Sequence, residues 1–316
     1  MISILTDPLP HGRFAIPELT RKVGRVVRHQ LAPPKYNFGE YRGHYAVTRS
    51  LIEGLKKSAL PHNYNPSRLS KLANTVVVLA GVRTLRQAIE LKGQGKIRKL
   101  YAGPNIVVFS SDYDSLLAAP EVDAVITPCD WVVDLYVEDN PSLAGRIFSW
   151  AAGVDADYWT PGSMDERDSI LIYEKQNIGP VAPYVEYLGQ LGYRVKIIKY
   201  GAYSHSEYRR ALRRARLMVG FVFGESQGLA WAEAWAADVP TLIWRNERNT
   251  YRGRTYRTST APYLTPANGL FFNDLEDFKR QFAYLTNDPH RFTPRDWVLE
   301  HMSDEVCARK LYGMVT

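Results

Sequence analysis

Two glutamates with seven residues between them, Glu225 and Glu233, fall in the segment from Leu217 to Pro240. The segment opens on an apolar run, Leu217-Met218-Val219-Gly220-Phe221-Val222-Phe223. It continues through a polar turn with two glycines, Gly224 and Gly228, into the Ala- and Trp-rich stretch Leu229-Ala230-Trp231-Ala232-Glu233-Ala234-Trp235. This reads as a buried strand, a short turn and a helix. The unpaired N–H groups at such a helix start, together with the helix dipole, form an anion site. Ser226 is placed to cap that helix or to donate its hydroxyl. Gly228 lets a ligand approach the backbone closely, and Leu229 supplies the next N–H. Glu225 lies on the turn, and Glu233 lies about one and a half turns inside the helix. Carboxylates at these two places can hold hydroxyl groups or favour positive charge beside the bound anion.

The rest of the chain must supply a scaffold that holds this turn. The continuous apolar run Thr75 to Ala80 marks a strand buried on both faces, and further strands are expected at Ser169 to Tyr173, Arg194 to Tyr200, Leu217 to Phe223 and Pro240 to Trp244. Shorter strands are expected at Met1 to Leu5, Lys99 to Ala102, Ile106 to Phe109, Ala124 to Thr127 and Arg146 to Trp150, with Gly103-Pro104-Asn105 splitting two of them. Helical spacing covers His44 to Lys57, Thr84 to Lys92, Trp131 to Val137, Pro180 to Leu191, Ser206 to Ala215, Gly228 to Ala237 and Asp274 to Leu285. Loop is expected up to Gly43, where Pro33-Pro34 and Gly39 punctuate a basic stretch, and again at His62 to Pro66. Alternating strands and helices predict an α/β fold with parallel sheets, repeated in two Rossmann-like domains that face each other across a cleft. The boundary falls where Pro161-Gly162-Ser163 and four acidic residues break the rhythm, giving domains 1–154 and 155–316, with the last helix free to pack back on the first domain.

The 316 residues include 45% hydrophobic and 23% charged ones, an ordinary globular mixture, with a formal charge of +7 that suits anionic partners. No apolar run reaches the ~20 residues of a membrane span, and the first residues turn acidic too early for a signal peptide. Cys129 and Cys307 are too few and too far apart for a disulfide framework or a zinc site. The expectation is a cytoplasmic protein, with a peripheral place at a membrane as the alternative.

The stretch 225–240 resembles the donor-site signature of retaining GT-B glycosyltransferases of the group 1, family 4-like kind. That signature is a Glu, seven residues, a second Glu, and a small-residue helix closing on Gly-x-Pro. Asp238 stands at the Gly position. Ala152-Gly153-Val154-Asp155, with Trp159 and Pro161, resembles the domain crossover of the same group. Val125 to Val132 resembles the strand, turn and helix before it, and Arg295-Asp296-Trp297-Val298 with Ser303 resembles the terminal helices. The likeness runs from about residue 120 to the end. It implies that Glu233 holds the ribose hydroxyls of a UDP- or GDP-linked sugar and that Glu225 lies beside the transferred sugar. It also implies that the N–H groups of Gly228 and Leu229 bind the phosphates. Lys175 would neutralise the diphosphate in place of the group's arginine, and Tyr200, closing its strand, is a further donor-side candidate. The group's second basic residue is absent from Gln176 to Pro183, leaving Arg245, Arg248 or Lys199 to replace it. No cofactor and no metal is implied, since a helix N-terminus and a cation can carry the leaving group's charge. The implied reaction is sugar transfer with retention to a glycan or lipid-linked acceptor.

The acceptor is expected on the N-terminal half, with Arg83 and Asn105 at strand ends and His44 as a possible base or polar contact. The stretch 244–257 carries five arginines interleaved with Tyr251 and Tyr256. Arginines suit phosphate, and tyrosines stack on sugars or bases; a solvated basic loop has the same composition. An acidic lipid headgroup, an anionic glycan and DNA are the ligands such a loop would take. Three alternatives to the leading reading therefore stand: transfer to modified DNA bases, a non-catalytic nucleotide- or sugar-binding protein, and a sugar-nucleotide epimerase.

Overall fold

A computed structural model describes residues 1–6, 43–66, 68–176, 179 and 181–316. The chain divides into two compact units, Met1–Ala152 with Cys307–Thr316, and Gly153–Val306. Each is built on its own parallel sheet. The basic stretch with Pro33-Pro34 and Gly39 lies outside the described residues, as do Asn177, Ile178 and Pro180.

In the first unit the strands β1 (Ile2–Thr6), β2 (His62–Tyr64), β3 (Thr75–Ala80), β4 (Lys99–Asn105), β5 (Ala124–Thr127) and β6 (Ile147–Ser149) form one sheet in the order β2-β1-β3-β4-β5-β6. Every pairing is parallel. The valines of β3 are fully buried, which is why that strand carries no polar alternation. Helices α1 (His44–Lys57), α2 (Val82–Gly93) and α3 (Asp130–Asp139) connect or flank the strands.

Two expectations are corrected here. His62 to Tyr64, read as loop, is an edge strand on β1, with Ile2 opposite His62 and Ile4 opposite Tyr64. An edge strand needs only backbone partners, so the polar His-Asn-Tyr triplet gave no apolar signal. Gly103-Pro104-Asn105 does not split two strands, and Ile106 to Phe109 is not a strand. Instead β4 runs through the Gly-Pro pair, and its register against β3 slips there, from Val78 opposite Ala102 to Ala80 opposite Asn105. That is one extra residue in β4, a bulge. A Cβ at residue 103 would collide with the Ile126 carbonyl, so only glycine lets the bulge pack on β5.

The second unit orders its strands β13-β10-β9-β7-β8, again all parallel: β7 (Ser169–Glu174), β8 (Arg194–Lys199), β9 (Ala215–Phe221), β10 (Thr241–Trp244) and β13 (Gly269–Phe272). β8 lies at the edge and carries Arg194, Lys196 and Lys199, charges that discourage pairing with another chain. Helix α4 (Ala182–Gln190) packs on the sheet, and α5 (His205–Arg214) starts with a complete capping box between Ser204 and Glu207. Helix α6 (Leu229–Ala236) follows β9. One face of the sheet buries Ile170, Ile172, Leu217, Val219, Phe221 and Leu242 against Phe278 and Phe282 of α7 (Leu275–Asn287). Helices α8 (Pro294–His301) and α9 (Asp304–Val315) close the chain. Among the described residues no helix is long and apolar enough to cross a membrane.

The Arg/Tyr segment is also more ordered than a loop. Strands β11 (Arg248–Tyr251) and β12 (Arg254–Arg257) pair antiparallel, and Arg252 and Gly253 turn between them with φ of 51° and 76°. Positive φ at both central residues gives the primed turn whose twist matches a two-residue hairpin.

Candidate donor site

β7, β9 and β10 end side by side, and the turn 223–228 leaves the carboxyl end of β9. Ligands of open parallel sheets bind at this end. α6 starts at Leu229 with Gly228 as its N-cap residue, in the left-handed region at φ 65°, ψ 37°. Ser226 does not cap the helix: no side chain caps it, and the cap position falls two residues later. A serine at 226 is too far up the turn to reach the first-turn amides. The Gly228 carbonyl accepts from the N–H groups of Trp231 and Ala232 at 3.0 and 3.1 Å. The amides of the first turn, Leu229 among them, keep the partial positive charge of an uncapped helix start.

Packing fixes α6 closely. Trp231 and Trp235 are buried, and each indole N–H has a partner: Trp231 donates to the Thr260 carbonyl at 2.9 Å and Trp235 to Thr241 Oγ1 at 3.1 Å. A Cβ on Gly220 would lie 2.5 Å from the Trp231 ring, and one on Gly228 would lie 2.7 Å from Trp231 Cδ1. Gly228→Ala therefore meets two obstacles, the positive φ and the indole. Its expected cost is about 2–4 kcal/mol of stability, readable as a lowered denaturant midpoint. A cost below about 1 kcal/mol would mean that the turn relaxes freely.

Lys175, the residue after β7, reaches across to Glu225: Nζ to Oε1 is 2.5 Å, with both side chains largely buried. The ammonium also lies over the Tyr200 ring, 4.8 Å from its centre. Thus Lys175, Glu225 and Tyr200, from three separate strand ends, meet in one place. The Glu225 N–H donates to the Ser259 carbonyl at 2.8 Å. Lys199 is occupied elsewhere, 3.3 Å from Glu174, and Arg245 pairs with Glu247 at 3.4 Å and lies over Phe271. Arg248 sits exposed on β11.

Behind the turn lies a cluster of tyrosines that sequence reasoning missed. Tyr173, Tyr203 and Tyr208 pack with ring centres 5.2–6.1 Å apart, and Trp231 lies 5.3 Å from Tyr173. The Tyr208 hydroxyl donates to the Ala230 carbonyl at 2.7 Å, tying α5 to the first turn of α6. Burial, and then the carboxylate of Glu233, push the Tyr208 phenol well above its ordinary pKa. Burial also raises Tyr173, with neighbouring Tyr203 and Tyr208 and the Glu225 carboxylate adding to it. Tyr251 of the hairpin is raised by burial and by Glu225, with Lys175 opposing. The two glutamates thus border one aromatic wall from different sides. Its members come from β7, the loop before α5 and α5 itself, so no local spacing hinted at it.

Arg83, His44 and Asn105 belong to the first unit. Arg83 is exposed at the start of α2, and Asn105 closes β4 with its amide nitrogen buried and without a hydrogen-bond partner. His44 begins α1, but its side chain lies outside the described residues.

No protein-family model matches the sequence, and no curated protein matches it. Solved structures do match in fold. A glycosyltransferase from Rickettsia africae ESF-5 superposes with a TM-score of 0.56 at 10% identity, over 99% of this chain and 97% of that one. The lipopolysaccharide outer core galactosyltransferase WaaB in its apo form gives 0.52 at 10% identity, over 99% and 98%. A GtfA/B complex gives 0.55 at 14% identity; 78% of this chain is covered, but only 58% of that chain. The fold is α/β with two parallel sheets, and it is the GT-B fold of glycosyltransferases.

Proposed function

We propose that this protein transfers a sugar from a nucleoside diphosphate donor, UDP- or GDP-linked, to a glycan or lipid-linked acceptor, with retention at the anomeric carbon. The observation that carries the reading is the meeting of Glu225, Lys175 and Tyr200 on the turn that leads into the uncapped start of α6, with Glu233 in the helix itself.

The chemistry follows from charge. When the sugar–phosphate bond breaks, the diphosphate gains negative charge. Lys175 and the first-turn amides, including that of Leu229, stabilise it where it forms. Ser226, further up the turn, is a hydroxyl donor to the donor's sugar or phosphate in this scheme. The anomeric centre becomes oxocarbenium-like, which the Glu225 carboxylate favours. Glu233 accepts from the ribose hydroxyls. In the free protein Lys175 and Glu225 neutralise each other, so the site is held together before donor arrives. This supply of positive charge makes a metal unnecessary to the scheme.

Thermal denaturation with UDP, GDP and their sugar conjugates, with and without EDTA, tests the reading. A ligand at 100 times its Kd stabilises the native state by about 2.7 kcal/mol, which raises Tm by about 4 °C in a chain of this length. The expected result is such a shift with one base, unchanged by EDTA. No shift with any nucleotide would overturn the donor site, and a shift abolished by EDTA would overturn the metal-free scheme.

A further inference from the structure

The hairpin β11–β12 carries an arrangement that folding alone does not favour. In its register Arg248 faces Arg257 and Thr250 faces Thr255, while Asn249 faces Tyr256 and Tyr251 faces Arg254. Tyr256 is buried, so the Asn249/Tyr256 and Tyr251/Arg254 pairs form the inner face. Arg248, Thr250, Thr255 and Arg257 are all exposed and form the outer one. Directly opposed like charges destabilise a strand pair. Among the described residues no carboxylate lies within ion-pair distance of Arg248 or Arg257, and the two threonine hydroxyls bond to each other at 3.0 Å. Arg252 and Arg254 add charge at the turn.

The hairpin is also fastened to the donor turn. Asn246 and Asn249 each donate from Nδ2 to the Phe223 carbonyl at 2.7 Å, and Asn249 also donates to Thr258 Oγ1 at 3.0 Å. A Cβ on Gly224 would stand 2.8 Å from Asn249 Nδ2, so a glycine there is what lets the hairpin lie against the turn. The hairpin is therefore held against the turn that carries Glu225.

We infer that the outer face of this hairpin is an acceptor subsite for a polyanionic glycan, a sugar chain bearing phosphate, sulfate or carboxylate groups along its length. This rests on the reading of the neighbouring turn as a sugar-nucleotide donor site. Guanidinium groups hold such anions with paired hydrogen bonds, and the threonine hydroxyls between them suit sugar hydroxyls. A bilayer surface fits less well, because no large apolar side chain is exposed on the hairpin to enter it. Duplex DNA fits less well too. Four-residue strands span about 13 Å, and even a single DNA-reading module buries about 600–1,000 Å² of protein surface.

The test titrates the intact protein, and the double variant Arg248→Gln, Arg257→Gln, with a fluorescent heparin oligosaccharide. A neutral dextran oligosaccharide, a 20-base-pair duplex and vesicles of phosphatidylcholine with phosphatidylserine serve as comparisons. Both arginines are exposed, so the variant should fold with unchanged or slightly raised Tm. The expected result is heparin binding that weakens about tenfold or more in the variant, with a salt slope shallower by about 1.5 for the two lost contacts. Dextran should not bind, and DNA and vesicle binding should change less than heparin binding. Heparin affinity equal in the two proteins, or absent in both, overturns the proposal. So does a larger loss on DNA or vesicles than on heparin. Loss of the UDP or GDP thermal shift in the variant would assign the arginines to the donor phosphates instead. If the intact protein shows the arginine-dependent heparin effect but no nucleotide shift, the donor reading fails and the acceptor role fails with it, leaving an anion-binding hairpin.

Discussion

Replacing Glu225 with glutamine should tighten the binding of a sugar-free nucleoside diphosphate about five- to tenfold while lowering sugar transfer by about 100-fold or more. The two effects have opposite signs because Glu225 has two jobs in the proposed scheme. In the free protein its carboxylate holds Lys175 at 2.5 Å. A diphosphate must draw that ammonium away and leave the carboxylate with less compensation. Glutamine keeps the shape, removes the competing charge and frees the lysine, a gain that five- to tenfold expresses as about 1–1.4 kcal/mol. A nucleoside diphosphate without the transferred sugar makes no use of that carboxylate, so it loses nothing in return. The transition state loses the carboxylate that faces developing positive charge. Lys175→Met supplies the control. It should weaken the diphosphate about 10- to 100-fold and a bare nucleoside hardly at all, because only the phosphate contact is lost. Isothermal titration with nucleoside diphosphate, together with transfer rates, reads both. Weaker diphosphate binding in Glu225→Gln would show that the ion pair positions Lys175 for the donor and does not compete with it.

The scaffold around this pair was legible where burial forces a single pattern. Val76 to Ala80 and Leu217 to Phe221 lie inside their sheets with both faces covered, so they carry no polar side chain and the strand announces itself. The helix after β9 was legible from its small residues and its turn glycines. Its start was legible to within a residue, but its cap was not, because Ser226 looks like a cap while Gly228 holds that position with no side-chain cap. Asp238 at the Gly position of the family signature is in the left-handed region at φ 58°. That explains why glycine suits this place and why aspartate, which tolerates the conformation better than most residues, can stand there. What stayed hidden was of two kinds. Strands at a sheet edge or in a two-stranded ribbon, β2 and the hairpin, carry mostly polar side chains and so lack an apolar signature. Contacts between distant segments leave no local trace: Lys175 and Glu225 are 50 positions apart, and the carbonyls of Ser259 and Thr260 that anchor the turn come from beyond the hairpin. The site's residue types were readable, but the pairing that sets its resting charge was not.

Glu233→Ala should remove nucleotide binding and leave the fold in place. Glu233 is half-buried on α6, and alanine is the best helix former, so the helix itself should not suffer. Its carboxylate also raises the Tyr208 phenol, whose hydroxyl is already committed to the Ala230 carbonyl. Removing a negative charge from beside a neutral phenol costs little, so Tm should stay within a few degrees of the parent. Binding is another matter. Two ribose hydroxyls donating to one carboxylate make charge-assisted hydrogen bonds worth about 1.5–3 kcal/mol each. Their joint loss lowers affinity by at least about 100-fold, and the nucleotide-dependent rise in Tm disappears at ordinary ligand concentrations. Comparing ribo- with 2′-deoxynucleoside diphosphates separates ribose recognition from general electrostatics. The parent should prefer the ribo form, and Glu233→Ala should bind both equally weakly. Retained affinity in a folded Glu233→Ala protein would place the ribose elsewhere. Loss of binding with the ribo preference intact would mean that the mutation acts through the helix start and the phosphates it holds.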